Sequence, residues 1–287
     1  VHALKRFESL ITRPAESFDD PEERQAEFQR RLERTRRLMA LLGNPQDALD
    51  IIHIGGTSGK GSVAILCEAM LHAMGMRVGT HTSPYLQTPL EKARVDGWLI
   101  PAEEAIALTE RVMQAVNALP ADGSLGNVHY AEAWLALVLS HFTDRACQTG
   151  VIEVGMGGRF DATNIVTPRV SVITTVHYDH TRVLGETLGE MAYHKAGIIK
   201  AGVPAVVGEV PEVAWRVIEA EARQRGARLV RLGRDLRYEP IEASQSGGRF
   251  RYEGLRLRLD DVRVGLLGAH QFANASAALA ALEVYAT

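Results

Sequence analysis

The stretch Asp50-Ile-Ile-His-Ile-Gly-Gly-Thr-Ser-Gly-Lys-Gly-Ser62 decides the fold of this chain. Its first five residues are mostly apolar, as expected of a short strand that is covered on both faces. Four glycines follow among small polar residues, and an apolar helical pattern begins directly after them. The sequence therefore predicts a buried strand, a glycine-rich turn and the start of a helix.

The glycine-rich turn has the composition of an anion-binding loop. Glycines have no Cβ, so backbone N–H groups can surround an anion, and the next helix points its positive end at the same place. The general phosphate-loop pattern fails, because it needs Gly and Ser or Thr where this chain has Ile54 and Gly61. A glycine turn without a ligand is the alternative. Since Lys60 suits the outer phosphates of a nucleotide, we expect phosphate contacts from Gly56, Thr57, Ser58, Gly59, Lys60, Gly61 and Ser62.

The composition is that of an ordinary globular protein. The 287 residues are 46% apolar and 23% charged, with a formal net charge of −3. This charge gives no overall attraction to nucleic acid, and no apolar run has the length of a membrane span. The first residues lack the apolar stretch of a secretory signal, and Cys67 and Cys147 lie in apolar helical patterns. We expect a cytoplasmic enzyme that binds neither nucleic acid nor a membrane.

Strand and helix patterns alternate along most of the chain. Residues 1–50 have a helical pattern, and repeated strand–helix units continue to about residue 232. This alternation predicts an α/β fold with a doubly wound, mainly parallel sheet and flanking helices. Residues 236–267 alternate between apolar and polar positions, which predicts a small antiparallel β addition.

Polar residues follow several predicted strands at their carboxyl ends, where open α/β sheets bind ligands. Glu153 ends an apolar strand and suits Mg²⁺, which prefers oxygen ligands; an ion-paired or surface carboxylate is the alternative. His177-Tyr-Asp-His180 follows the next strand and favours contact with a metal or a phosphate. Residues 161–164 are interpreted as turn formers, and Lys195 as an exposed charge or an anion contact.

These segments, in this order, resemble the folylpolyglutamate synthase and dihydrofolate synthase family within the Mur ligases. The resemblance covers most of residues 50–280, and each motif is weak alone whereas the ordered set is highly specific. Its motifs are Gly56-Thr-Ser-Gly-Lys-Gly-Ser62, Thr82-Ser-Pro84, Glu153-Val-Gly-Met-Gly-Gly-Arg159, Asp161-Ala-Thr-Asn164, Asp179-His180, Leu184-Gly185, Lys195-Ala-Gly-Ile-Ile-Lys200, and His270-Gln271 with Asn274.

The resemblance implies an ATP-dependent ligase of folate biosynthesis and one-carbon metabolism. Such an enzyme phosphorylates the carboxylate of a folate or dihydropteroate with ATP, and L-glutamate then displaces the phosphate. The resemblance implies that Lys60 holds phosphates, that Ser83 and Glu153 bind one Mg²⁺, and that Glu153 and His180 bind a second. It also implies that CO₂ carbamylates Lys195, with an unmodified lysine as the alternative. Asn274 is expected at the adenine or at the glycine loop.

The chain departs from the family pattern at three points. Ser58 stands where Asn is usual, and Tyr85 stands where His is common, which bears on the folate-side contacts. The family also carries a second α/β domain after the last helix. We therefore expect an N-terminal helical segment at 1–50, packed on an ATP-binding domain at 51–287, with the C-terminal ligase domain absent from this chain. Such a chain is expected to bind ATP, to ligate poorly and to be a monomer.

Two other functions stay open at this point. One is a different Mur-type amide ligase that acts on a cell-wall precursor, although Lys60-Gly61-Ser62 favours folate. The other is an ATP-binding regulatory module without ligase activity.

Overall fold

The computed structural model describes residues 7–10, 20–120 and 122–287. The strands are β1 Asp50–Gly55, β2 Val78–His81, β3 Arg94–Val95, β4 Trp98–Leu99, β5 Thr149–Glu153, β6 Val170–Ile173, β7 Ala205–Val207, β8 Leu229–Arg231, β9 Arg237–Ser244, β10 Gly247–Glu253 and β11 Arg258–Val264. The helices are α1 Pro21–Leu41, α2 Lys60–Ala73, α3 Ala102–Asn117, α4 Tyr130–Asp144, α5 Thr181–Leu184, α6 Leu188–Ala196, α7 Glu212–Gln224 and α8 His270–Tyr285. None of the helices within these described ranges combines the length and the apolarity that a membrane crossing requires.

An eight-stranded sheet forms the centre of the fold, in the order β4-β3-β2-β5-β1-β6-β7-β8. Neighbours from β2 to β8 in this order are parallel, whereas β3 and β4 add an antiparallel edge. The expected mainly parallel, doubly wound sheet is confirmed. Because parallel strands end at one edge, the residues after β2, β5, β1 and β6 are neighbours in that order.

β1 lies between two layers of the core. Ile51 packs in the layer that contains α1, α3 and α4, whereas Ile52 and Ile54 pack against α2 and α8. Successive side chains of a strand point to opposite faces, so a strand covered on both sides must be apolar throughout. A third apolar cluster joins α6 and α7 to β6 and β7.

The antiparallel addition is also confirmed, as a three-stranded sheet in the order β11-β10-β9. It packs on α8, where the rings of Phe250 and Phe272 lie 5.4 Å apart between centroids. Tyr252 Oη donates a hydrogen bond of 2.7 Å to Glu283 Oε2, which also accepts from the Leu255 N–H. The small sheet is therefore attached to the helix that faces the glycine loop.

Some boundaries differ from the sequence prediction. α6 ends at Ala196, although the apolar sequence that follows it, up to Lys200, is also compatible with a helix; Gly197 caps α6 and packs against Arg159. β3, β4 and β8 were not predicted, since two or three residues are too short to show an alternation.

A buried ion pair joins α1 to α4. Arg34 Nε donates to both carboxylate oxygens of Glu132, at 3.1 and 3.0 Å, and Arg34 Nη2 lies 3.1 Å from Glu27 Oε1. Arg34 is 1% exposed and Glu132 is 0% exposed. A buried charge is tolerated only when its partner and its hydrogen bonds are in place, so this pair fixes how α1 packs.

We expect Arg34→Met to lower the free energy of unfolding by about 3–5 kcal/mol, because it leaves a buried carboxylate without its cation. Arg37→Met is the matched control, since Arg37 pairs with Glu33 on an exposed face of the same helix and exposed pairs contribute little. Urea titration of both variants measures the difference. Equal losses would show that the buried pair does not hold α1 in place.

Candidate functional site

The glycine loop joins the end of β1 to the start of α2. Gly56 has φ +146° and Gly59 has φ +82°, which are values that residues with a side chain rarely adopt. A Cβ on Gly56 would overlap the side chain of Thr174, and a Cβ on Gly59 would overlap that of Asn274. Within the described residues no side chain caps the first turn of α2. Its N–H groups are therefore left to an external acceptor.

Two threonines after β6 fix the shape of the loop. Thr174 Oγ1 donates to the carbonyl of Ser58 at 2.5 Å, and Ser58 N donates to Thr175 Oγ1 at 3.0 Å. Thr57 N also donates to the Thr175 carbonyl at 2.9 Å. The conformation of the loop is thus set by the neighbouring strand.

Lys60 is the first residue of α2. Its Nζ donates to the Thr57 carbonyl at 3.3 Å, which is long for such a bond and therefore weak. The charge of Lys60 acts on both Glu153 and Lys195. Lys60 thus lies among the groups that the sequence singled out.

The carboxylate of Glu153 lies beside the glycine loop. A Cβ on Gly61 would be 3.4 Å from Glu153 Oε2, and Ser83 N donates to the same oxygen at 3.0 Å. Burial raises the pKa of Glu153 above its ordinary value, and the Ser83 N–H and the charges of Lys60 and Lys92 offset part of this rise. A cation bound here would lower the pKa of Glu153 and so favour its charged carboxylate.

His180 lies at the same edge of the sheet, before α5. The segment meets the loop through His177, whose N–H donates to Thr57 Oγ1 at 3.0 Å. His180 Nε2 is 3.6 Å from Asp179 Oδ1, and the His180 side chain is half exposed. The Asp179 carboxylate, which was not among the predicted site residues, therefore lies next to the His180 ring.

Lys195 is buried in α6 with 1% of its surface exposed, so its interpretation as an exposed charge is wrong. Burial and then the charge of Lys60 lower the pKa of Lys195 to about 8, while the Asp179 carboxylate raises it in part. Arg159 N donates to the His194 carbonyl at 2.7 Å and ties α6 to the loop after Glu153. The neutral amine is consequently accessible near neutral pH.

A cleft of about 690 Å³ opens on the α8 side of the loop. Asn274 packs against Gly59, and its Nδ2 donates to Gln271 Oε1 at 2.8 Å. The lining mixes polar and apolar groups, which suits a flat ring next to a phosphate-binding loop. It consists of Ser58, Gly59, Thr174, Thr175, His177, Gly208, Glu209, Val210, Pro211, Leu232, Tyr238, Ala269, His270, Ala273, Asn274 and Ala277.

The described part of the chain contains no group of three or more His, Cys, Asp or Glu side chains placed to hold one metal ion. A metal at Glu153 would therefore take further ligands from the Ser83 hydroxyl, the Asp179–His180 segment, water or a bound phosphate. This oxygen-rich donor set fits Mg²⁺, which keeps several waters in protein sites. Imidazole is the less usual member.

Asp161 and Asn164 have structural contacts, so their interpretation as turn formers is confirmed. Asp161 Oδ1 accepts from Thr163 N at 3.0 Å and caps the 3-10 helix Ala162–Ile165. Asn164 Oδ1 accepts from Lys200 Nζ at 2.8 Å.

Lys92 is a buried charge that sequence reasoning missed. It is 8% exposed, and its Nζ donates to Ser83 Oγ at 3.4 Å. Burial lowers the pKa of Lys92, and the carboxylates of Glu153 and Asp161 offset part of this. The capping-box pattern Thr88-Pro-Leu-Glu91 indicates the short 3-10 helix Pro89–Lys92, but no local pattern indicates that its last residue is buried.

Comparison with known proteins gives the class of protein. The model of the Mur ligase middle domain matches residues 54–282. The chain belongs to the Mur ligase family, and the resemblance found in its motifs is confirmed.

Within that family, the chain is similar to folylpolyglutamate synthases. It is 38% identical over 249 residues to the folylpolyglutamate synthase of Lacticaseibacillus casei, across 87% of this chain and 58% of that protein. The folylpolyglutamate synthase structure from Thermotoga maritima matches with a TM-score of 0.87 and 32% identity, across 100% of this chain and 62% of that one. A structure of folylpolyglutamate synthase (FPGS), the FPGS–AMPPCP–folate complex, matches with a TM-score of 0.87 and 35% identity, across 99% of this chain and 66% of that one. The chain thus spans about three fifths of the length of these relatives.

We expect Gly59→Ala to destabilise the fold more than Gly75→Ala. Both glycines have nearly the same backbone conformation, with φ +82° and +83°, so both variants carry a similar strain of about 1 kcal/mol. Only Gly59 has a neighbour, Asn274, that the new methyl group would displace; nothing lies within 4 Å at Gly75. Denaturant titration compares the two. If Gly59→Ala lowers the free energy of unfolding no more than Gly75→Ala does, the loop and α8 are not closely packed.

Proposed function

We propose that this chain is the nucleotide-binding part of an ATP-dependent ligase that joins L-glutamate to the carboxylate of a folate or dihydropteroate. Residues 51–287 form its ATP-binding unit, and α1 packs against this unit. The observation that carries the proposal is the Glu153 carboxylate, which lies beside Gly61 and accepts the Ser83 N–H. It brings an anion cradle and an oxygen donor for a cation to one point.

The glycine loop and the cleft beside it suit ATP. The uncapped N–H groups of α2 and the Lys60 ammonium bind the β- and γ-phosphates. The adenine enters the cleft against α8, where Asn274 holds Gly59 in position. A similar structure, the FPGS–AMPPCP–folate complex, supports ATP as the ligand.

Two Mg²⁺ ions suit the edge of the sheet beside this loop. Ser83 and Glu153 would hold one, and Glu153 with His180 would hold the other, with water and phosphate oxygens as the remaining ligands. Bound Mg²⁺ neutralises charge between the acceptor carboxylate and the γ-phosphate, two anions that otherwise repel each other. Glu153 supports the role because its carboxylate is buried and, among the residues that the structure describes, accepts from one N–H donor, Ser83 N.

The reaction requires two displacements. A carboxylate oxygen of the acceptor attacks the γ-phosphorus, and ADP leaves. The amine of L-glutamate then attacks the acyl carbon, loses a proton and expels inorganic phosphate. Lys60 keeps the γ-phosphate in place for the attack, and the glycine loop holds the rest of the triphosphate.

We expect the protein at its full natural length to release ADP only when a reduced folate or dihydropteroate and L-glutamate are both present. A coupled ADP assay measures this release. Glu153→Gln keeps the shape of the side chain but removes its charge, and we expect it to lower kcat by about 100-fold.

The matched control is Glu33→Gln, which removes an exposed carboxylate on α1. ADP release with a uridine-linked cell-wall precursor in place of folate would assign another Mur-type reaction. ATP binding without release, whatever the acceptor, would favour a regulatory module.

We also propose that CO₂ carbamylates Lys195, which turns an ammonium into an anion with two oxygens that suit Mg²⁺. The neutral amine attacks CO₂ and loses a proton, so the carbamate needs the depressed pKa of about 8. At constant dissolved CO₂, raising the pH from 7 to 8.5 increases the neutral fraction from roughly a tenth to roughly three quarters. We expect a ¹³C carbamate signal from labelled bicarbonate that grows over this range and is lost in Lys195→Met.

Lys200 supplies the matched control. Burial lowers the pKa of Lys200 to about 8 as well, yet its ammonium donates to Asn164 O and Oδ1 at 2.7 and 2.8 Å. The signal should persist in Lys200→Arg. Its persistence in Lys195→Met would contradict carbamylation at this residue.

A further inference from the structure

Lys92 lies between two aromatic rings at the edge of the sheet. Its Nζ is 5.7 Å from the ring centroid of Tyr85 and 6.0 Å from that of Tyr130. The nearest hydrogen-bond acceptor that the structure gives it is Ser83 Oγ, at 3.4 Å. Ring faces attract a cation, but they do not replace a hydrogen-bonded anion.

The buried ammonium of Lys92 has no direct counter-ion in the part of the chain that the structure describes. Glu153 and Asp161 act on it through their charge alone, and neither forms an ion pair with it. By contrast, the buried guanidinium of Arg34 is paired at close range, with Glu132 at 3.0 Å. A buried charge without such a partner is costly, so an anion from outside the chain would complete the site.

The loop before Lys92 is held rigidly. The Glu91 carboxylate accepts from Leu86 N, Gln87 N and Thr88 N at 2.8, 2.8 and 2.9 Å. The Lys92 carbonyl also lies 2.9 Å from His81 Nδ1, which must donate because a carbonyl only accepts. The position of Lys92 is therefore set before a ligand arrives, which reduces the entropy cost of binding.

The strand order shows which anion Lys92 would meet. Glu153 ends β5, which lies between β2 and β1 in the sheet. Lys60 follows β1, with the cleft beyond it against β6 and α8, whereas Lys92 follows β2. The two lysines thus approach Glu153 from its two sides. If the triphosphate occupies the β1 side, the second reacting anion enters from the β2 side.

The aromatic residues at the β2 side suit an acceptor that carries an aromatic ring. Tyr85 is 41% exposed and so presents its ring to a ligand, next to Leu86, which is 92% exposed. Flat rings of this kind bind other rings by stacking.

We propose that the Lys92 ammonium binds the carboxylate of the acceptor that receives the phosphoryl group, with Tyr85 and Tyr130 flanking that end of the acceptor. This inference rests on the proposed ligase function and names the residue that positions its second anion. Lys60 then serves the phosphate and Lys92 the carboxylate, with Glu153 between them.

The test pairs two ligands with two variants. Binding of a reduced folate is compared with binding of its γ-carboxamide analogue, which keeps the shape but lacks the charge. The protein is used at its full natural length with Mg²⁺ and a non-hydrolysable ATP analogue. We expect Lys92→Met to weaken binding of the folate on the order of 30-fold and to leave binding of the carboxamide within about twofold. Lys92→Arg keeps a cation and should retain most of the preference for the folate.

Each outcome decides a separate point. Equal weakening of both ligands in Lys92→Met would overturn the carboxylate contact, because a purely structural lysine affects the two alike. A wild-type protein that binds both ligands equally would overturn it as well. If the wild-type protein binds the ATP analogue but neither the folate nor the carboxamide, the folate assignment is wrong. The inference about Lys92, which rests on it, is then wrong as well. If Lys92→Met does not fold, Lys92→Gln repeats the comparison, with binding of the ATP analogue as the check on folding.

Discussion

The site depends on one constraint, the side-by-side order of β2, β5, β1 and β6 at a single edge of the sheet. This order lets Glu153 accept the Ser83 N–H from one neighbour and lie against Gly61 of the other. It also lets Thr174 and Thr175 hold the glycine loop from β6. Because these contacts come from strand ends fixed by the core, the polar groups are held in place by apolar packing far from them.

Lys60, Lys92 and Lys195 lie at this edge, and bringing their charges together costs free energy of folding. Burial and the charge of Lys60 both lower the pKa of Lys195, and burial lowers the pKa of Lys92. The carboxylates of Glu153, Asp161 and Asp179 offset part of this cost from a distance. An edge with buried cations and few close counter-ions is suited to anionic ligands, since each bound anion relieves the repulsion.

The sequence predicted the strong features of this architecture and missed those that depend on tertiary contact. The glycine loop, the apolar strands and the alternation over residues 236–267 each carry a local pattern, and each was found. The burial of Lys195 was not predicted, because a lysine in a nine-residue helix shows no local sign of what packs over it. Lys92 was missed for the same reason, since its partners Ser83, Tyr85 and Tyr130 come from separate elements. Exposed lysines are the rule, and only the packing reveals the exception.

The two departures from the general phosphate-loop pattern have physical reasons in this fold. Ile54 stands in place of glycine because that position is still inside β1, with 0% exposure, and packs against α2 and α8. At position 61, where the pattern has Ser or Thr, a side chain would point toward the Glu153 carboxylate, since the Cβ position of Gly61 lies 3.4 Å from Glu153 Oε2. A hydroxyl added there would compete for the space next to the carboxylate. Ser83 already brings a hydroxyl to that point from β2, so the loop can leave position 61 without a side chain. The oxygen donors are thereby divided between two strands, which is why a pattern confined to one loop does not recognise the site.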